Sequence, residues 1–139
     1  MKTNKQYFIG IDVSKLTIDA CCVMVVKDHK REPHFTCQFE NTSKGLKAFG
    51  FWLADFKVSM DQNSLVVIEN TGLYQRPLWK YCSKINLPVH IGNAAQIKWS
   101  LGILRGKDDK IDSRRLCDYA SKNHETLKPS LAFNPTLIS

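Results

Sequence analysis

One apolar segment constrains the fold of this 139-residue chain more than any other feature. Residues 64–69 read Ser-Leu-Val-Val-Ile-Glu, a continuous apolar run that is bounded by polar residues and ends on an acid. This pattern is typical of a central strand whose two faces are both covered. The segment therefore predicts a sheet with helical cover.

Two periodicities divide the rest of the chain. Alternating, aromatic or β-branched runs predict strands, and apolar residues at helical spacing predict helices. The predicted strands are residues 7–13, 16–26, 34–40, 64–69 and 87–91, and the first two form a hairpin through Ser14 and Lys15. The predicted helices are one that begins at residues 41–43 and three that cover residues 74–85, 93–99 and 110–121. Three antiparallel strands followed by alternating strands and helices indicate an α/β fold with a mixed sheet.

The length predicts one domain. A chain of this size buries about 70% of the surface that its unfolded form exposes, so its core needs no disulfide or structural metal. The longest apolar run, residues 20–26, is too short for a membrane-spanning helix, and the first residues do not have the pattern of a signal peptide. We expect the domain to cover residues 1–128, and residues 129–139 to be a tail or a truncated linker to an absent C-terminal domain.

Positive charge is concentrated in the second half of the chain. Residues 1–70 carry nine basic and eight acidic side chains, whereas residues 71–139 carry eleven and five. A localised positive field favours a polyanionic partner, most often nucleic acid. On charge alone, a basic surface that only keeps the protein soluble accounts for the excess equally well.

The cysteines indicate a reduced protein. They are odd in number and form no Cys-x-x-Cys pair, which predicts a cytoplasmic location. His34 and Cys37 have a spacing that could chelate a metal, but no second pair follows them, so they do not predict a zinc site. The five cysteines are Cys21, Cys22, Cys37, Cys82 and Cys117.

Four acids are candidates for a metal site. Asp12 lies within the first predicted strand, Glu69 ends the central strand, and Asp109 and Asp112 stand three apart at the start of the last predicted helix, which would put both on one face. A carboxylate in a strand core is costly unless a cation compensates it, and its hard oxygen ligands favour Mg²⁺ or Mn²⁺. Any one acid alone is better explained as a turn residue, an ion-pair partner of a lysine, or a first-turn helix acid, but the joint placement of the four favours a metal site.

Three motifs resemble one known family. Residues 9–15 (IGIDVSK), 68–74 (IENTGLY) and 107–112 (KDDKID) are similar to the N-terminal DEDD domain of the Piv-like insertion-sequence transposases, the IS one-ten family. The resemblance implies a RuvC-like form of the ribonuclease H fold, with Asp12, Glu69, Asp109 and Asp112 as catalytic metal ligands. The family usually has Thr before its third acid, whereas this chain has a further acid there, so the choice between Asp108 and Asp109 as third ligand stays open.

The resemblance also implies a function. It implies metal-dependent DNA transposition or recombination, with DNA and a structured guide RNA as partners, a homo-oligomeric assembly, and a C-terminal domain with a nucleophilic serine beyond the end of this chain. Basic residues near the acids would then contact phosphates. The residues expected to do so are Lys15, Arg76, Lys98, Arg105, Lys107, Lys110, Arg114 and Arg115.

Three other functions remain open from the sequence. A nuclease of the same fold would need only the acids, and a nucleic-acid-binding or dimerisation module would use them structurally. A fragment of a sugar kinase or actin-like ATPase is disfavoured, because no glycine-rich phosphate loop follows Asp12.

Overall fold

The computed structural model describes residues 5–26, 34–102 and 111–130, which form one five-stranded sheet with helices on both faces. The strands are β1 (Gln6–Val13), β2 (Thr17–Val25), β3 (Phe35–Glu40), β4 (Ser64–Glu69) and β5 (Val89–Gly92). The helices are α1 (Ser43–Asp55), α2 (Arg76–Lys84), α3 (Ala94–Ser100) and α4 (Ser113–Asn123). The predicted order of strands and helices is confirmed.

The sheet is mixed, with the strand order β3-β2-β1-β4-β5. The first three strands pair antiparallel, whereas β4 pairs parallel with both β1 and β5. The parallel pairing brings the carboxyl ends of β1 and β4 to the same edge of the sheet. We call this edge, where Asp12 and Glu69 lie, the acid edge.

Side chains of β1 alternate between two apolar layers, as the pleat of a strand requires. Ile9 and Ile11 pack into the layer that α1 and α2 cover, where Phe49 and Leu78 are fully buried. Phe8 points to the opposite face, into the layer that α3 and α4 cover. The strand of residues 64–69, β4, is also covered on both faces, as its sequence predicts, because Ile68 packs into the first layer and Val67 into the second.

Helix α1 begins where its sequence predicts. The Thr42 side chain accepts a hydrogen bond from the Gly45 amide at 3.0 Å, which satisfies one of the unpaired donors of the first turn. Leu46, Phe49 and Leu53 form its buried face.

Helix α4 starts later than predicted. It begins at Ser113, not at residue 110, because the Asp112 side chain accepts a hydrogen bond from the Arg115 amide and caps the helix from an extended backbone position. The prediction that Asp109 and Asp112 share a helix face was wrong, since Asp112 stands outside the helix. Asp109 lies outside the described residues.

The contact between α4 and β1 is unusually close. A Cβ atom at Gly10 would overlap the backbone of Ser113 and Cys117, so only glycine leaves room for the helix at this position of the strand. The backbone of α4 therefore lies directly on β1. This contact holds the capped end of the helix near the acid edge.

Residues 128–130 lie along β5. The Ser130 amide donates to the Val89 carbonyl at 2.6 Å, and the Ile91 amide donates to Ser130 Oγ at 3.1 Å. The start of the predicted tail thus extends the sheet contacts, and residues 131–139 lie outside the described residues. Among the described helices, none has the length and apolar character needed to cross a membrane.

Candidate active site

Asp12 and Glu69 lie on neighbouring strands at the acid edge. Ile11 and Ile68 are partners in the parallel pairing of β1 and β4, and the two acids directly follow them. Alternation along the strands points both side chains to the α4 face, since Val67, two residues before Glu69, packs into the α4 layer. Both acids are half-buried. The fold thus brings together two acids that are far apart in sequence.

Asp112 reaches the same region from α4. It shares with Asp12 an open cleft of about 470 Å³, which Ser113 and Arg114 also line. Asp112 Oδ1 accepts from the Arg115 amide at 2.9 Å, so the helix cap fixes the direction of the carboxylate. Glu69 does not line this cleft.

Asp19 is a cleft residue that the sequence analysis missed. It is the partner of Asp12 in the β1–β2 pairing, and it lines the same cleft. Its Oδ1 accepts a hydrogen bond from Gln38 Nε2 at 2.9 Å. The predicted hairpin could have identified a residue opposite Asp12. However, the predicted two-residue link between the strands would place Thr17 there, not Asp19.

The donor set fits a hard divalent cation. The described acids at this edge and in the cleft offer only carboxylate oxygen, the donor that Mg²⁺ and Mn²⁺ prefer. These acids do not form a closed ligand cluster, however. Within the described ranges, the set of three potential ligand atoms that all lie within 4.8 Å of one another belongs to Cys21, His34 and Cys117.

The predicted phosphate-binding residues occupy more than one surface. Arg114 is exposed and lines the acid cleft, and Lys15 is exposed in the turn that follows Asp12. Arg115 is exposed on α4, and Lys98 is half-buried on α3. The other predicted residues, Arg105, Lys107 and Lys110, lie outside the described residues.

Arg76 is separated from the acid cleft. It lines a different groove of about 720 Å³ between α1 and α2, on the opposite face of the sheet from α4. The lysines of this groove are Lys47, Lys80 and Lys84. The structure therefore places predicted phosphate-binding residues on both faces.

Two buried thiols, Cys21 and Cys117, lie next to each other between β2 and α4, with their sulfur atoms within 4.8 Å. The neighbouring Cys117 thiol lowers the pKa of Cys21 against the effect of burial, and the positive charge of Arg114 lowers it further. The interaction with Cys21 and burial raise the pKa of Cys117. Elsewhere in the core, burial raises the pKa of Cys22 and of Cys82 to about 12.

Comparison with known proteins identifies the family. Residues 9–137 match the DEDD transposases of the IS110 type. The chain belongs to this transposase family. It is 31% identical over 123 residues to the pilin gene-inverting proteins of Moraxella bovis and of Moraxella lacunata. The match covers 86% of this chain and 36% of each relative, so this family member spans about a third of their length.

Solved structures confirm the fold. The family member described here is similar to Thermus thermophilus RuvC in complex with a Holliday junction substrate, with a TM-score of 0.62 and 13% identity. This match covers 90% of the chain and 100% of RuvC. A second Thermus thermophilus RuvC structure matches with a TM-score of 0.61, 12% identity and the same coverage. The RuvC-like, ribonuclease H-like fold is therefore as predicted.

Proposed function

We propose that this chain is the N-terminal catalytic domain of a DEDD-type DNA transposase or recombinase, which carries out metal-dependent phosphodiester chemistry. The observation that carries the proposal is the placement of Asp12 and Glu69 at the ends of adjacent parallel strands, with Asp112 at the capped end of the helix that crosses them. Membership of the transposase family supports the proposal, as does the name of the Moraxella relatives, which describes inversion of a gene.

Four acids would hold the metal: Asp12, Glu69, Asp112 and, from outside the described residues, Asp109. Bound Mg²⁺ or Mn²⁺ would activate an attacking oxygen and stabilise the leaving oxygen at a phosphodiester. The chain's own contribution is positioning. Gly10 lets α4 approach β1, and the hydrogen bond to the Arg115 amide holds the Asp112 carboxylate at the cleft.

The basic residues would bind the phosphate backbone. Arg114 has the strongest support, because its exposed side chain lines the cleft with Asp12 and Asp112. We propose that Arg115, Lys15 and Lys98 extend this surface, together with Arg105, Lys107 and Lys110. Arg76 would contact nucleic acid from the opposite face of the sheet, across the groove between α1 and α2.

The partners follow from the family resemblance, and the location follows from the cysteine content. We propose DNA as the substrate, a structured guide RNA as a second nucleic acid, assembly into a homo-oligomer, and a cytoplasmic location. The similar RuvC structure contains a Holliday junction, which supports a DNA substrate for this fold. The activity, substrates and partners of the longer relatives are part of the same proposal, since this chain spans 36% of their length.

A metal-dependent melting experiment tests the site. Mn²⁺ is expected to raise the melting temperature of the unmutated chain, because cation binding to the folded state stabilises it. The double variant Asp12→Asn, Glu69→Gln should lose this rise. The control Asp55→Asn changes an exposed acid at the end of α1 and should keep it. Equal rises in the double variant and the control would contradict the proposal.

A structure-specific nuclease is the second candidate. The match to RuvC covers the whole of that chain, so the described fold lacks no large part of the RuvC fold. Metal-dependent cleavage of a four-way DNA junction by this chain alone would favour this candidate. Binding of the junction with no cleavage would favour a domain that needs the remainder of a longer recombinase.

A further inference from the structure

A second cluster of metal-ligating side chains lies outside the carboxylate site. The two sulfur atoms of Cys21 and Cys117 and one ring nitrogen of His34 all lie within 4.8 Å of one another. The three residues come from β2, from the residue before β3, and from the middle of α4. No short sequence motif joins them, so spacing along the chain does not predict the cluster.

The distances suit a tetrahedral metal ion. Zinc binds thiolate sulfur at about 2.3 Å and imidazole nitrogen at about 2.0–2.1 Å, which places neighbouring ligand atoms about 3.4–3.8 Å apart. Ligand atoms within 4.8 Å of one another therefore need to move by only about 1 Å. Three protein ligands leave the fourth position for water or a further donor.

The charges of a zinc ion with these three ligands suit a buried site. Cys21 and Cys117 are fully buried in the apolar layer beneath α4, where an uncompensated charge is costly. Two thiols that each release a proton to solvent become two thiolates, and their charge cancels that of one divalent cation. With a neutral imidazole as the third ligand, the charges within the ligand set sum to zero, which a buried site can accommodate.

Asp118 supplies the outer contact that metal-bound histidines commonly have. Its Oδ1 lies 2.9 Å from His34 Nε2. When Nε2 donates its proton to this carboxylate, the lone pair of the ring is on Nδ1, and the carboxylate both orients the ring and raises its basicity. The side chains of His34 and Asp118 are 26% and 34% exposed, which leaves an entry path from solvent.

We propose that Cys21, His34 and Cys117 form a binding site for one Zn²⁺ ion, separate from the carboxylate site. Sulfur donors select a thiophilic ion over Mg²⁺ or Mn²⁺, so the two sites would take different metals. The zinc site ties α4 to β2 and to the start of β3. The bound ion would hold in place the helix whose first turn Asp112 caps. The Cys117 thiol donates to the Phe8 carbonyl at 3.1 Å, and this weak bond is given up when zinc binds.

Cobalt and zinc titrations test the proposal on the whole chain. The protein is stripped with a chelator, kept reduced with a phosphine, and titrated with Co²⁺ and then Zn²⁺. We expect thiolate-to-cobalt charge-transfer absorption that saturates at one ion per chain. Zn²⁺ should displace the bound cobalt, whereas excess Mg²⁺ should not. Cys21→Ser and His34→Gln should lose the tight site, and Asp118→Asn should weaken zinc binding by roughly 10-fold to 100-fold.

Two control variants distinguish the zinc site from the other cysteines and from the carboxylate site. Cys37→Ser removes a cysteine of β3 outside the cluster and should leave cobalt binding unchanged. The double variant Asp12→Asn, Glu69→Gln should also keep it, so that failure of the carboxylate proposal and failure of the zinc proposal are distinguishable. His34 is partly exposed, so His34→Gln tests the site even where Cys21→Ser does not fold.

Three results would overturn the proposal. The first is the absence of a thiolate-to-cobalt band in the reduced protein. The second is an unchanged band in a folded His34→Gln variant. The third is a Cys21–Cys117 disulfide in the oxidised protein combined with no zinc binding after reduction, which would indicate a redox pair and not a metal site.

Discussion

Gly10 of β1 lies against the backbone of Cys117 in α4, with no room for a side chain between them. The contact joins β1 to the helix that Asp112 caps and that carries Cys117. It positions one acid of the carboxylate site and one ligand of the proposed zinc site.

Gly10→Ala is expected to destabilise the protein strongly. The added methyl group meets backbone atoms, which cannot rotate away, so α4 must move off the sheet at a cost of about 3 kcal/mol. Urea unfolding measures this loss. Gly72→Asn is the control, because a Cβ atom at that position has no neighbouring atom within 4 Å and asparagine tolerates its positive φ of 84°. A loss at position 10 no larger than at position 72 would contradict the close packing.

Substitutions at Asp112 should separate its structural role from its metal-binding role. Asp112→Ala removes the helix cap and should lower the free energy of unfolding by about 1 kcal/mol in the presence of a chelator. Asp112→Asn keeps a capping oxygen and should retain most of that stability. Both variants should show a smaller rise in melting temperature with Mn²⁺ than the unmutated chain. A full rise in Asp112→Asn would exclude the carboxylate as a metal ligand.

Arg114→Glu is expected to weaken DNA binding and to reduce its salt dependence. Affinity falls as salt concentration rises, and the loss of one phosphate contact makes the slope of log affinity against log salt concentration less steep by about 1. Fluorescence anisotropy with duplex and four-way junction DNA at several salt concentrations measures both quantities. Lys122→Glu makes the same charge change in the last turn of α4, and an equal effect there would indicate that only net charge matters.

Stability should decrease at alkaline pH because of two buried thiols. Burial raises the folded-state pKa of Cys22 and of Cys82 to about 12 from an ordinary value of 9.0. Below pH 9 the folded and the unfolded protein both keep these two thiol protons, so the two thiols do not change the free energy of unfolding with pH. Between pH 9 and pH 12 only the unfolded state loses them, so the free energy of unfolding falls as pH rises, by about 1.4 kcal/mol per pH unit for each thiol.

Urea midpoints measured from pH 8 to pH 11 check this decrease. Cys82→Ala starts from a lower stability because it leaves a cavity, but its stability should fall less steeply with pH. Parallel curves for the variant and the unmutated chain would show that the Cys82 thiol is not the source of the decrease.

Local chemistry made most of the fold predictable. The covered strand of residues 64–69 and the hydroxyl of Thr42 each specify their own element, because the relevant forces act within a few residues. The family resemblance predicted Asp12 and Glu69 for one site, and the pairing of β1 with β4, which the sequence did not predict, places them on neighbouring strands. The start of α4 was misplaced by three residues, since a capping aspartate and a first-turn aspartate look alike in sequence.

The unpredicted features depend on contacts between distant segments. The position of Asp19 opposite Asp12 depends on the length of the turn between β1 and β2, and that turn is longer than the predicted two residues. Cys21 and Cys117 are 96 positions apart in the sequence, and their meeting requires α4 to pack across β2. Residue types indicate which groups can bind a metal, whereas tertiary packing decides which of them meet.

The bare contact between α4 and β1 has a thermodynamic consequence. A helix that rests on backbone, without a layer of adaptable side chains, can shift only as a unit. If zinc binding shifts the helix, Asp112 shifts with Cys117, and by linkage each ion then changes the affinity for the other by the same factor. Two ions with different chemistry would then be coupled through one rigid element.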